Sequence, residues 1–92
     1  MNKYESVIII NPVLSEESVK ALEAKITELI NANGKVEKVE ILGKKRLAYE
    51  INKNREGIYA VINFEANPDS IKELERVYRI TDEIMKFIVV KQ

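Results

Sequence analysis

Ile58-Tyr59-Ala60-Val61-Ile62-Asn63-Phe64, followed three residues later by Asn67-Pro68, is the stretch that decides the fold. Its even-numbered residues are all apolar, the period-two pattern of a strand with one face turned to a core. Asn67 stands where a helix cap belongs and Pro68 where a first helical residue belongs, because proline's missing N–H goes unused there and its φ already suits a helix. Beyond them Ile71, Leu74, Val77 and Tyr78 recur at helical spacing up to about Ile80. Strand, Asn-Pro and helix follow one another directly.

The same order stands at the front of the chain. Tyr4 to Ile10 is β-branched and is stopped by Asn11-Pro12, where the ring removes a donor and restricts its predecessor. Ser15 caps a helix with Val19, Leu22, Ile26, Leu29 and Ile30 on one face. Leu14 and Val19 suit a hydrophobic staple, Glu16 and Glu17 the positive end of the dipole, and Asn33-Gly34 the stop. Lys35 to Ile51 alternates imperfectly through Val36, Val39, Ile41, Leu47, Tyr49 and Ile51, so a long strand with a bulge or kink near Gly43 is expected. Asn52 to Gly57 supplies a turn into the Ile58–Phe64 strand. After the second helix, Thr81-Asp82-Glu83 turns the chain into a last strand, Ile84 to Lys91.

The order βαββαβ, with two similar halves, predicts an α+β, ferredoxin-like fold: a four-stranded antiparallel sheet with both helices on one face. Ninety-two residues with no linker make one domain over 1–92. Alternation then sorts the strands. Tyr4, Ser6, Ile8 and Ile10 turn to the helices with Ile58, Ala60, Ile62 and Phe64. Val7, Ile9, Tyr59, Val61, Ile88 and Val90, with Lys86 beside them, are left on the uncovered face. Six large side chains make a patch on the order of several hundred Å², at the upper end for a monomer, so a partner or ligand is expected to cover it.

Composition removes most chemistry. Without Cys or His there is no thiolate, disulfide or imidazole, and Ser-His-Asp relays and the common metal sites go with them. Gly34, Gly43 and Gly57 are isolated, which rules out phosphate-cradling loops. The paired carboxylates Glu16-Glu17 and Asp82-Glu83 read as a helix start and a turn. No cofactor and no metal are expected, and no enzyme. The longest apolar run, Ile58 to Ile62, is far short of the ~20 residues that span a bilayer. With no secretory h-region either, a cytoplasmic location is expected.

Fifteen basic and 15 acidic residues cancel, so any attraction to nucleic acid must be local. Lys35 to Arg55 holds seven basic and three acidic residues, with Lys44-Lys45-Arg46 as its densest cluster, while Glu56 to Met85 holds three basic and seven acidic. An RNA-recognition motif shares the element order, but Glu56 to Asn63 keeps only Gly57 and Val61 of its strand-three signature and lacks the paired stacking aromatics.

Particular residues carry a resemblance. Tyr4-Glu5, Asn11-Pro12, Val36-Glu37-Lys38-Val39-Glu40, Gly43-Lys44-Lys45-Arg46-Leu47-Ala48-Tyr49-Glu50-Ile51, Arg79-Ile80-Thr81-Asp82 and Val89-Val90-Lys91 resemble the family of the sixth protein of the bacterial small ribosomal subunit, over nearly the whole chain. The resemblance implies a nonenzymatic ferredoxin-like protein, monomeric when isolated. It would pair with the basic eighteenth small-subunit protein and with it bind the central domain of small-subunit ribosomal RNA. By position, Lys45 and Arg46 then fall on the partner-contacting edge, with the apolar face as its companion surface, and Lys3, Lys86 and Lys91 fall at the RNA-facing end. The alternative from another class is a self-associating ferredoxin-like regulatory domain that binds a small ligand.

Overall fold

The β-branched start of the chain forms β1 (Asn2–Ile10) in the computed structural model, which describes residues 2–51 and 54–92. Ser15 then begins α1 (Glu16–Asn33): its Oγ accepts a hydrogen bond from Ser18 N at 3.2 Å, meeting one of the orphan donors of the first turn. Val19, Leu22, Ile26 and Ile30 form the buried stripe of this helix. It stops at Gly34, which is extended (φ −171°), so the chain runs straight into β2 (Gly34–Ile51).

β2 pairs along β3 (Asn54–Ala66), and its register slips between Ile41 and Gly43. Gly43 has φ 86°, a left-handed conformation that L side chains rarely adopt, so the expected kink sits at the residue suited to it. β3 starts earlier than expected. Asn54, Arg55, Glu56 and Gly57, read as turn residues, are already strand, with Ile51 opposite Asn54 and Arg46 opposite Glu56. Cross-strand pairing with a long partner overrides the local turn chemistry of these residues. Asn52 and Lys53, the middle of the expected turn, lie outside the described residues.

α2 (Pro68–Ile80) has Asn67 at its cap position, but the Asn67 side chain makes no capping bond. Instead the Asn67 carbonyl accepts from Ser70 N at 3.0 Å and Ser70 Oγ at 2.7 Å. At the other end Thr81 Oγ1 donates to the Val77 carbonyl at 2.6 Å, closing the helix before β4 (Ile84–Lys91).

The sheet order is β2-β3-β1-β4, all neighbours antiparallel, and the fold is the ferredoxin-like α+β arrangement. Ile8, Ile10, Ile26, Ile62, Phe64 and Tyr78 are sealed in the core between sheet and helices. Tyr4 stacks on Phe64 with ring centroids 5.7 Å apart, and Tyr78 meets Phe87 at 5.3 Å. Along β1 burial alternates residue by residue, so Val7 and Ile9 face away from the helices.

Candidate binding face

Register assembles the uncovered face in rows. Val61, Val7 and Ile88 lie side by side across β3, β1 and β4, and Tyr59, Ile9 and Lys86 form the adjacent row. Ile88 and Val90 keep about half of their surface in water, at 52% and 50%. Val7, Ile9, Tyr59 and Val61 shield one another and are half-buried. The structure therefore brings together all six apolar residues read from alternation.

The patch extends further than alternation indicated. A Cβ built on Gly57 would clash with Ile9 Cγ2 and lie 3.3 Å from Met85 Cε and 3.5 Å from Leu47 Cδ2. Glycine is required there because the Ile9 side chain lies directly over the backbone. Met85 and Leu47 thus border the patch beside Ile9. Simple alternation would turn Met85 toward the helices with Phe87, but the β1–β4 register shifts between Ile9 and Ile10, and a bulge swaps the faces of the residues beyond it.

Toward the opposite end the same face becomes polar. Glu5 lies between Asn63 and Val90, and the Gln92 side chain reaches both Glu5 and Asn63 at 3.4 Å. Lys3 lies opposite Glu65, with its Nζ 4.0 Å from both the Glu65 and Glu37 carboxylates. Such long, exposed pairs contribute little stability, but they lower the net charge of this corner.

Lys45 and Arg46 are exposed on the edge strand β2, opposite Gly57 and Glu56. There the hairpin has outrun β1, whose last β3 partner is Ile58. Both cations stand at the root of a two-stranded ribbon. Lys3, Lys86 and Lys91 do not form one cluster. Lys86 lies opposite Ile9 on the open face, whereas Lys91 lies opposite Tyr4 and alternates with the inward Phe87 and Val89 on the helix side. Lys3 shares an end of the sheet with Lys91 but not a face.

The molecule is a ferredoxin-like α+β domain whose sheet has one face free of helices, apolar toward one end and polar toward the other. Among the described residues no three carboxylates converge on a metal position, and no helix is long and apolar enough to cross a membrane. The family model for Ribosomal protein S6 matches residues 3–91. The chain is 52% identical over 93 residues to small ribosomal subunit protein bS6 of Clostridium perfringens (strain SM101 / Type A), covering 100% of this chain and 98% of that one. It is 45% identical to the bS6 protein of Clostridium acetobutylicum, over 98% of this chain and 96% of that one. The crystal structure of 30S ribosomal protein S6 from Thermotoga maritima superposes with a TM-score of 0.94 at 38% identity, covering 99% of this chain and 87% of that one. The chain belongs to the ribosomal protein S6 family. It is a structural, nonenzymatic protein of the small subunit of the cytoplasmic ribosome.

Proposed function

We propose that this chain, acting as a single domain over residues 1–92, binds the central domain of small-subunit ribosomal RNA jointly with the eighteenth small-subunit protein. The apolar half of the open face carries this reading: Val7, Ile9, Tyr59, Val61, Ile88 and Val90 form one patch without helices over it. That protein docks there, with Lys45 and Arg46 extending the contact along the β2 edge and setting specificity through charge.

The zero net charge of the chain supports a joint mechanism. Isolated, it is a monomer with few phosphate contacts. Docked to a basic partner, Lys3, Lys86 and Lys91 add to a larger positive surface, and one binding event neutralises more phosphates than either protein manages alone. Gel filtration and filter binding test this at fixed salt. The expected result is a monomer with weak RNA affinity that becomes tight once the partner is added. Equal affinity of the isolated chain and the pair would exclude joint docking, and a concentration-dependent homodimer would instead assign the open face to self-association.

A further inference from the structure

The three basic residues of the otherwise acidic segment from Glu56 to Met85 are not scattered. Lys72, Arg76 and Arg79 fall at i, i+4 and i+7 of α2, a single line along the helix at 100° per residue, and all three are exposed. The buried side of α2 is marked by Leu74 and Tyr78, with Ile71 and Val77 flanking them, so the basic line is the part of the helix farthest from the core.

α1, on the same face of the sheet, is the reverse. Its outermost line, at the same spacing, is Glu17, Ala21, Ala24 and Glu28, all exposed. The outermost line of α1 is therefore acidic and that of α2 is basic beyond Asp69, which begins it, while Glu73 and Glu75 elsewhere on α2 and Lys20 and Lys25 on α1 carry the opposite sign. Arg76 is tied to Glu73, with Nε donating to Oε2 at 3.0 Å, and this bond holds the Glu73 carboxyl below its ordinary range. Lys72 and Arg79 make no ion pair among the described residues. α2 packs against β4, and Lys91 projects to the helix side of that strand.

We infer that the α2 side of the helix layer, through Lys72, Arg79 and Lys91, is a second surface that meets RNA phosphates in addition to Lys3 and Lys86, leaving the apolar part of the open face to the protein partner. This rests on the RNA-binding reading above and specifies where the RNA lies. The line from Lys72 to Arg79 is about 10 Å long, the span of about three phosphates of a duplex strand. Placed on the opposite face from the docking patch, it lets one small domain hold protein and RNA at once.

The test uses the full chain, its basic partner and a central-domain RNA fragment, with log affinity measured against log salt. The double variant Lys72→Ala/Arg79→Ala is expected to lower the slope by about two and to leave discrimination among RNA sequences unchanged. Lys20→Ala/Lys25→Ala on α1 is expected to leave the slope as it is. Both pairs are solvent-exposed, and circular dichroism confirms that the variants fold. An unchanged slope in the α2 variant, beside a steep slope in the wild type, overturns this inference alone. Weakened association with the protein partner, without a change in slope, would make α2 a protein contact and likewise overturn it. A wild-type pair with no salt-dependent RNA binding overturns the parent reading as well.

Discussion

Ser6 and Tyr78 share a hydrogen bond of 2.9 Å between their hydroxyls in the buried interior, tying β1 to α2 across 72 residues of sequence. Ser6 has no exposed surface and Tyr78 almost none. Removing either partner leaves a buried hydroxyl unsatisfied, whereas removing both does not. Ser6→Ala and Tyr78→Phe should each cost about 1–3 kcal/mol, and the double variant should cost about 1 kcal/mol less than their sum. Urea unfolding of the four proteins measures this coupling, and additive losses would mean that the bond contributes nothing.

The same burial makes stability depend on alkaline pH. Desolvation pushes the Tyr78 hydroxyl up to about 12 from an ordinary 10, against a smaller opposing effect of the Ser6 bond. The folded state holds this proton more tightly than the unfolded chain. Its contribution is complete below pH 10 and is lost as the pH rises to about 12, an effect on the order of 3 kcal/mol. The stability advantage of the wild type over Tyr78→Phe should therefore narrow across that window. Parallel pH curves would assign the alkaline loss to other groups.

Neighbouring residues on opposite faces of β3 should behave differently. Ile62 is 1% exposed, and Ile62→Asp would bury an unpaired carboxylate at a cost near the total stability of a small domain, about 5–10 kcal/mol. Val61→Asp or Tyr59→Glu points into the open face and should retain the circular dichroism while abolishing partner association. Equal unfolding of all three would remove the distinction between the faces.

Lys45 and Arg46 project from an edge strand, where charges also guard against edge-to-edge pairing. Reversal of both to Glu should leave the monomer folded and slow association with the protein partner, most visibly at low salt. Association kinetics at two ionic strengths read this out, and an unchanged rate would reduce the pair to edge protection.

Element order, strand faces, the kink at Gly43 and the family resemblance were legible in the residues themselves, because period-two and period-3.6 patterns and an unusual run such as Lys44 to Ile51 are local properties. Strand ends were less so. Arg55 and Glu56 extend β3 only because β2 lies alongside them. Met85 reaches the open face through a register shift between two strands, which no single strand encodes. Tertiary structure also decided how the cations are grouped. Lys86 and Lys91 share one strand, yet alternation and the sheet's pairing put them on opposite faces, and Lys3 meets Lys91 only at an end of the sheet. Lys72 and Arg79 are diluted by acidic neighbours in sequence and are gathered into one line by the helix that orders them. Charge acts through distance in space, and only the folded backbone sets that distance.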